Sequence, residues 1–220
     1  RKISPIINTM LMAFPEKLIK KLINNGFEVL VAPNVQEAGI IVRSKIEEIN
    51  PDSVSFGDSI TLYATGTIDW MRSQNRYCFI DTFEKNVRFK ELIERRRQAL
   101  VCHTFMTGVN AISASDGALR WLDMIGNRIA PIAFGPRKII IVAGRNKVVE
   151  TPEDAYSRIR EIAAPRNVAR HEGMKTPCSI TGKCSDCSSP DRICNERLIL
   201  HKCHPKGRIT LILIDEVLGL

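Results

Sequence analysis

Residues 27–56, FEVLVAPNVQEAGIIVRSKIEEINPDSVSF, predict a strand, a helix and a second strand in succession. Residues 27–32 are mostly apolar, which is typical of a buried strand. Asn34, with an acidic residue three positions later, predicts a capping box, and apolar residues then recur at helical spacing until Pro51 ends the helix. Residues 53–56 form the second predicted strand. This order implies parallel strands with the helix packed on one face of the sheet.

The same alternation continues on both sides of this stretch. Helices are predicted at residues 15–25, from Gly57 to about Met71 and at residues 86–100, with a further strand at residues 76–80. The pattern predicts an α/β fold, with a mainly parallel sheet covered by helices on both faces. Because no linker divides the chain, residues 1–220 are predicted to form a single domain.

After Val101 the pattern changes. Two short runs flank Asp116-Gly117, a pair that can adopt the positive φ angles of a tight turn, so an antiparallel hairpin insertion is predicted here. The remaining predicted elements are a strand at 138–142, a helix from Thr151 to Pro165, and a closing hairpin of strands 197–201 and 208–214 joined around 205–207.

The composition is that of an ordinary globular domain. The chain is 44% hydrophobic and 25% charged, which excludes a disordered or fibrous protein. No apolar run approaches the roughly 20 residues needed to cross a bilayer. Because the chain starts at Arg1 rather than Met, a short preceding piece can be missing. We expect a soluble cytoplasmic protein with no membrane partner.

A net charge of +8 raises the question of nucleic-acid binding. Apart from residues 95–97, which lie beside Glu91 and Glu94 on a predicted helix, the basic residues are scattered singly or in pairs. Aromatic residues make up only 6% of the chain, so no platform for stacking bases is visible. A solvated face or a small anionic ligand is therefore favoured over a nucleic-acid partner.

Four of the seven cysteines lie in residues 176–195, here called the cysteine segment: Cys178, Cys184, Cys187 and Cys194. Thiolates spaced this closely generally converge on a shared metal ion or cluster. An iron–sulfur cluster fits four thiolates, although the spacing differs from that of ferredoxins. Structural zinc also fits, although only Cys184 and Cys187 form a Cys-x2-Cys pair. Disulfides or free thiols are the third alternative, while Cys78 and Cys102, in apolar strands, are predicted to be core residues.

Polar turns follow three of the predicted strands, and the carboxyl ends of parallel strands gather at one edge of a sheet, where ligands bind. The first turn, at Gly57, either offers free backbone N–H groups to an anion or is simply a strand-to-helix turn with Ser59 as N-cap. The candidate ligand-binding residues in these turns are Gly57, Asp58, Ser59, Thr61, Thr107, Gly108, Asn110, Asn146 and Lys147.

A fourth polar stretch joins Asp123 to Asn127 and Arg128, which are candidates for the same cleft or for a turn closed by a surface salt bridge. The chain has no GxSxG, P-loop, GxGxxG or HExxH motif, which argues against the usual hydrolases, nucleotidases and dinucleotide-binding enzymes. Asp116 and Asp123 are explained as turn formers, so no nucleophile or general base is assigned.

Taken in order, these motifs resemble the lactate-utilisation (LUD) domain family. The resemblance runs from about Glu37 to the end of the chain and is closest to a compact single-domain branch that carries a C-terminal cysteine block. The residues that carry it are GDSITL at 57–62, TGVNA at 107–111, GNR at 126–128, GPRK at 135–138, GRNK at 144–147, Arg158 with Arg160, and the block at 177–195.

The resemblance implies a fold similar to ribose-5-phosphate isomerase A, glucosamine-phosphate deaminase and CoA transferases, with a binding cleft at the strand ends. It also implies a bacterial-type cytoplasmic protein associated with the oxidation of lactate to pyruvate. The chain departs from the family pattern at Asp58 and Val109. An acidic Asp58 would repel a phosphate unless it is hydrogen-bonded or faces away.

Two functions therefore remain open. In the first, the protein is a metal-binding or iron–sulfur component of lactate oxidation, with a [4Fe-4S] cluster held by Cys178, Cys184, Cys187 and Cys194 and a redox partner protein. In the second, it is an enzyme or binding module for a small anionic metabolite, such as a sugar phosphate, a hydroxyacid or a CoA ester, and zinc is purely structural.

Overall fold

A computed structural model describes residues 14–220, and the first thirteen residues of the predicted domain, 1–13, lie outside the described part. The chain has the predicted α/β architecture, with a six-stranded sheet, a four-stranded sheet and helices packed against them. The strands are β1 (Glu28–Ala32), β2 (Ser53–Phe56), β3 (Cys78–Ile80), β4 (Thr104–Gly108), β5 (Ala111–Ser113), β6 (Leu119–Asp123), β7 (Lys138–Gly144), β8 (Val148–Val149), β9 (Glu196–Leu200) and β10 (Ile209–Ile214).

Nine α-helices lie in the described part of the chain, and short 3-10 or π turns extend some of them. The helices are α1 (Glu16–Asn24), α2 (Val35–Ile49), α3 (Ile60–Ala64), α4 (Thr67–Ser73), α5 (Phe89–Gln98), α6 (Ile129–Ala133), α7 (Pro152–Arg158), α8 (Ala164–Ala169) and α9 (Pro177–Thr181). Within residues 14–220 none of them combines the length and the apolar composition that crossing a membrane requires.

The six-stranded sheet is entirely parallel, with the order β1-β10-β7-β4-β2-β3. Strands β7 and β10 are mostly apolar on both faces, as expected for a sheet that helices cover on each side. In β7, Ile139 and Ile141 belong to a core shared with α1 and the smaller sheet, whereas Ile140 and Val142 belong to a core shared with α2, α3 and α4. Successive side chains of a strand point to opposite faces, so each strand serves both cores.

The predicted hairpin insertion is present. Strands β5 and β6 pair antiparallel around Asp116-Gly117, and together with β8 and β9 they form the smaller sheet in the order β8-β5-β6-β9. Gly117 has a φ of 67°, the left-handed conformation that the turn requires. The Trp121 indole N–H donates to the Gly108 carbonyl at 2.7 Å, which ties the smaller sheet to the end of β4.

The predicted closing hairpin of residues 197–201 and 208–214 is wrong. Strand β9 pairs antiparallel with β6 in the smaller sheet, whereas β10 inserts between β1 and β7 in the parallel sheet. The burial of the two strands explains the difference, because every residue of β10 is buried and the residues of β9 are exposed or partly exposed. A strand that is apolar on both faces requires cover on both sides, which a terminal hairpin does not supply.

Two predicted helices differ in extent. The helix expected from Gly57 to Met71 is divided into α3 and α4 at Gly66, whose φ of 68° a right-handed helix cannot include. The helix expected to end at Pro165 continues through a π turn at Ile159–Ala163 into α8, and it accepts Pro165 in the first turn of α8.

The structure also corrects two smaller predictions, the capping box at Asn34 and the burial of Cys78. The Asn34 side chain accepts a hydrogen bond from the Glu37 N–H at 2.8 Å, but the reciprocal half of the predicted capping box is not formed. Cys78 is exposed on the edge strand β3 rather than in the core, whereas Cys102 is buried as predicted.

A partly buried ion pair secures the hairpin of the smaller sheet. The Arg120 guanidinium binds the Asp116 carboxylate at 2.7 Å and also donates to the Ser113 hydroxyl and the Ala118 carbonyl. Burial on its own raises the pKa of Asp116, but hydrogen bonds from Arg120, Ser113 and the Ala118 N–H outweigh it and lower that pKa to about 2. The ionised carboxylate is therefore strongly favoured in the folded state.

We expect Arg120→Met to lower the free energy of unfolding by roughly 2–4 kcal/mol at pH 7, because Asp116 keeps its desolvation cost and loses its partner. Denaturant unfolding measures this change. The lowered pKa of Asp116 means that its contribution is present above its ordinary value of 3.8 and disappears as the pH falls towards 2, so the difference should shrink over that range.

The matched control is Arg97→Met, which removes an exposed pair with Glu94 and should change stability little. Equal losses for the two variants, or a loss from Arg120→Met that does not depend on pH, would contradict the stated role of the partly buried pair.

Candidate functional site

A cavity of about 190 Å³ opens at the carboxyl edge of the parallel sheet. The strands β2 and β4 end on one side of it, β7 leads into a 3-10 turn at Arg145–Lys147 on another, and residues of β6 and the following turn form a wall. This edge is where the parallel arrangement brings strand ends together, so the predicted location of the cleft agrees with the structure.

The turn after β2 is shaped by close packing against β4. The Ser59 hydroxyl accepts a hydrogen bond from the Leu62 N–H at 3.1 Å and so caps α3, as one of the two alternatives for this turn predicted. A Cβ at Gly108 would overlap the Ser59 hydroxyl oxygen, which explains why β4 ends in glycine. Since α3 is a single short helix, its N-terminus alone defines no anion site.

Asp58 does not present a free negative charge to the cavity. Its carboxylate forms an ion pair with Arg170, just beyond the end of α8. Because the Arg170 guanidinium neutralises this carboxylate, Asp58 does not repel an anion in the cavity as its sequence position suggested.

The Asp123 carboxylate is also bound by neighbouring groups of the protein. Its carboxylate accepts hydrogen bonds from the backbone N–H of Arg128 at 2.8 Å and of Met124 at 3.1 Å, and it lies 3.6 Å from the Arg128 guanidinium. Arg128 also donates to the carbonyls of Asp58 and Leu122, which joins the turn after β2 to the wall formed by β6. The stretch is therefore a hydrogen-bonded turn that lines the cleft, and its ion pair is largely buried rather than at the surface.

Lys147 is the charged side chain with the most unusual surroundings. It is 4% exposed and lines the cavity, yet its ammonium group has no hydrogen bond or ion pair within residues 14–220. Burial, followed by repulsion from the guanidinium groups of Arg158 and Arg166, lowers the pKa of Lys147 from 10.5 to about 7. Both protonation states are therefore populated near neutral pH.

The repulsion between Arg158 and Lys147 persists because Arg158 is fixed in position and stays charged. Arg158 is buried and is held in place by the carbonyls of Asn146 and Asn110, each at 2.7 Å. Those carbonyls are neutral, so the positive charge beside Lys147 is not cancelled. Burial lowers the pKa of Arg158 to about 10, which still leaves it charged at neutral pH.

Arg96 from α5 lines the same cavity and also forms no ion pair within residues 14–220. Its guanidinium lies 4.8 Å from the centre of the Phe83 ring, and its Nε is buried without a hydrogen-bond partner in the described chain. Burial lowers the pKa of Arg96, while the carboxylates of Asp58 and Asp123 act in the opposite direction. The two terminal guanidinium nitrogens of Arg96 also have no hydrogen-bond partner in the described chain, and they are the atoms that an acceptor in the cavity can reach.

Eight of the eleven predicted ligand-binding residues line the cavity: Asp58, Ser59, Thr61, Gly108, Asn110, Asn127, Arg128 and Lys147. The other three, Gly57, Thr107 and Asn146, do not. A Cβ at Gly57 would lie 2.5 Å from the Arg128 side chain, and Asn146 accepts a hydrogen bond from the Leu218 N–H at 3.0 Å. Thr107 is buried in β4. These positions shape the edge, while ligand binding by the lining residues remains a prediction.

Sequence reasoning missed Arg96, Asn167, Arg170 and His171, which line the cavity from helices or the ends of helices. Arg96 was noted only as part of the basic run at residues 95–97 on a predicted helix. The only signal for it was its position three residues after Ile93 and four after Leu92, which places it towards the partly buried stripe of α5. Burial, followed by the Arg170 charge, lowers the pKa of His171, so its neutral form is favoured.

The cysteine segment forms part of the cavity wall. Ile193, within the segment, and Met174, just before it, line the cavity, and the Asn195 N–H donates to the Asp123 carbonyl at 3.1 Å. All four thiols are free and partly buried. The Asp186 N–H donates to the Cys184 sulfur at 3.4 Å, and Asp186 has a φ of 50°.

The four sulfurs do not form a closed ligand set in residues 14–220. Burial raises the pKa of Cys194, and the nearby thiols of Cys184 and Cys187 add to that effect. In the part of the chain that the structure describes, however, no three His, Cys, Asp or Glu side chains stand close enough together to hold a metal ion. Metal ligation by the four cysteines therefore stays a prediction.

Comparison with known proteins bears on this arrangement. A family model described as the LUD domain matches residues 15–214, which include the strand ends and the whole cysteine segment. A crystal structure of a DUF162 family protein from Deinococcus radiodurans is similar over 97% of this chain and 99% of that chain, with a TM-score of 0.50 and 11% sequence identity. At that identity the likeness shows the fold alone. No curated protein matches the chain.

We expect Lys147→Met to raise the free energy of unfolding by roughly 2–4 kcal/mol at pH 6, because the folded state no longer buries an unpaired ammonium group. The unfolded chain binds more protons than the folded one between pH 7 and 10.5, so the penalty is full below about pH 7 and disappears as the pH approaches 10.5. Denaturant unfolding at several pH values measures this trend.

Lys45→Met is the matched control with the opposite sign. Lys45 is also largely buried, but its ammonium pairs with Glu28 and Glu48. Its removal should therefore destabilise the protein. If Lys147→Met also lowers stability at pH 6, the conclusion that Lys147 is unpaired and destabilises the folded state is wrong.

Proposed function

Because the chain belongs to the LUD domain family, which is associated with lactate utilisation, we propose that it binds a small hydroxyacid or oxoacid anion in the strand-end cavity. The observation that carries this proposal is the buried Lys147, which lines the cavity and has no acidic partner in residues 14–220. A bound carboxylate would supply the missing negative charge.

The charge balance of the cavity supports an anion. The two acidic side chains that line it, Asp58 and Asp123, already face the guanidinium groups of Arg170 and Arg128. Lys147 and Arg96 line the cavity without an ion pair in the described chain, so the lining carries an excess of positive charge. In a partly dry cavity, opposite charges attract more strongly than they do in water.

The size of the cavity narrows the substrate class. At about 190 Å³ it lies below the roughly 300–1,000 Å³ of pockets that enclose drug-sized ligands. A three- or four-carbon acid is a better match than a CoA ester. Neutral donors are also present, since Asn127 lines the cavity and its side chain makes no hydrogen bond in the described chain.

The direct test measures thermal stability and calorimetric binding with lactate, pyruvate, ribose 5-phosphate and acetyl-CoA. We expect the small acids to stabilise the protein, because a ligand that binds only the native state raises its stability. Asn127→Ala should weaken binding about tenfold, as expected for the loss of one hydrogen bond to a charged ligand. Its fold should survive, because Asn127 makes no side-chain hydrogen bond in the described part of the protein.

The matched control is Asn75→Ala, an exposed asparagine outside this cavity, which should bind the acids as the native chain does. The proposal fails if none of the small acids binds, or if Asn75→Ala weakens binding as much as Asn127→Ala.

As a second candidate function we propose that the cysteine segment binds a metal centre, either a [4Fe-4S] cluster or zinc. The donor chemistry fits, since four free thiols lie in one segment and the Asp186 N–H donates to the Cys184 sulfur. Backbone N–H groups that bind sulfur stabilise thiolates, the form that holds a metal. The sulfurs do not form a closed set as folded, so binding requires them to move together.

Anaerobic purification followed by metal and sulfide analysis tests this second candidate. Iron with equal amounts of acid-labile sulfide supports a cluster, whereas stoichiometric zinc without sulfide supports a structural ion. We expect Cys184→Ser to reduce the bound metal severalfold and Cys78→Ser, on an exposed edge strand, to leave it unchanged. Metal-free native protein, or equal losses in both variants, would overturn the metal-binding candidate.

A further inference from the structure

Lys147 combines three properties that a plain anion-binding lysine does not require. It is almost fully buried, at 4% exposure, it faces the cavity, and its nitrogen has no hydrogen-bond partner within residues 14–220. A structural lysine would satisfy its three donors. A lysine that serves only as a counter-charge gains nothing from the cationic neighbour Arg158, which is held rigidly by two backbone carbonyls.

We infer that Lys147 is an amine nucleophile that forms a Schiff base with the ketone carbon of a 2-oxo acid bound in the cavity. This inference rests on the proposed function, because it assumes that the cavity holds a small acid. It adds a covalent step and restricts the substrate class from acids in general to acids that carry a carbonyl group next to the carboxylate.

The surroundings of Lys147 favour the neutral amine that this reaction requires. Desolvation and the nearby guanidinium groups of Arg158 and Arg166 bring the pKa of Lys147 to about 7. Burial next to other cations is the recognised way to activate a lysine for attack on a carbonyl group. An ordinary exposed lysine, with a pKa of about 10.4, is almost entirely protonated at neutral pH.

The cavity also offers the groups that would hold such a substrate in place. The carboxylate requires a cation, and Arg96 supplies an unpaired guanidinium whose Nε is buried without a partner in the described chain. The ketone oxygen requires a donor. Asn110 uses its side-chain oxygen to accept from the Leu122 N–H at 2.9 Å, which leaves its amide N–H group to donate into the cavity that it lines.

The step balances without any further reagent. The neutral nitrogen of Lys147 attacks the ketone carbon, so that a C–N bond forms while the C=O π electrons move to the oxygen. A proton then passes from the nitrogen to the oxygen to give a carbinolamine. That intermediate then loses hydroxide, which leaves as water with a proton, while the nitrogen lone pair forms the C=N bond. One water is released, nothing is oxidised or reduced, and hydrolysis reverses the step.

Gly219 and Leu220 lie beside this group at the cavity. A Cβ at Gly219 would lie 3.5 Å from the Lys147 nitrogen and 2.6 Å from the Thr61 hydroxyl oxygen, and Gly219 has a φ of 65°. Leu220 is among the lining residues.

The test is reductive trapping. The full-length protein is incubated with pyruvate and sodium borohydride, and adducts are located by intact mass and peptide mapping. We expect one reduced pyruvate adduct, on Lys147, and a trapping rate that rises to a plateau just above pH 7. Lactate has no carbonyl group, so it should bind without forming an adduct.

Lys147→Arg cannot form an imine, so it should lose the adduct. Lys138→Arg, whose ammonium binds the Gly207 carbonyl outside the cavity, should trap pyruvate as the native chain does. If pyruvate, glyoxylate and 2-oxobutyrate bind but none is trapped on Lys147, this inference is overturned and the proposed function stands. If no small acid binds, both are overturned, and adducts spread over many lysines also overturn the inference.

Discussion

The burial of β10 on both faces is the constraint on which the rest of the structure depends. All six of its residues are buried, and it pairs in parallel with β1 on one side and β7 on the other. The last strand of the chain therefore joins the first described αβ unit to the middle of the sheet. This position aligns the carboxyl ends of the central strands at one edge and carries residues 215–220 across that edge, beside Lys147.

The elements that follow local rules could be predicted from sequence. The α/β alternation and the Asp116-Gly117 hairpin depend on side-chain periodicity and turn chemistry within a few residues. The pairing of β10 with its neighbouring strands does not depend on such local rules. An apolar run predicts that a strand is buried, but it does not identify the neighbours that bury it, and a parallel pairing spans most of the chain. The assignment of β10 to a terminal hairpin was wrong for that reason.

The candidate site likewise contains residues that could be predicted from the sequence and residues that could not. Residues such as Ser59, Gly108 and Lys147 could be placed at one edge because parallel strands end together. Arg96 and Arg170 could not, since whether a helix turns such a residue towards a cavity depends on the packing of the whole helix. In the cysteine segment, spacing identifies the sulfur donors, but their convergence depends on a loop conformation that spacing does not determine.

The cavity wall has two parts of different origin, and this has a consequence for how relatives diverge. One part consists of strand ends, where Gly108 and the neighbouring turn are so tightly packed that few substitutions are tolerated. The other part includes Met174 and Ile193, which flank a loop outside the two sheets. Loops accept changes that a packed sheet rejects. Homologues can therefore acquire new ligand preferences through changes in this loop, while the tightly packed strand ends stay the same.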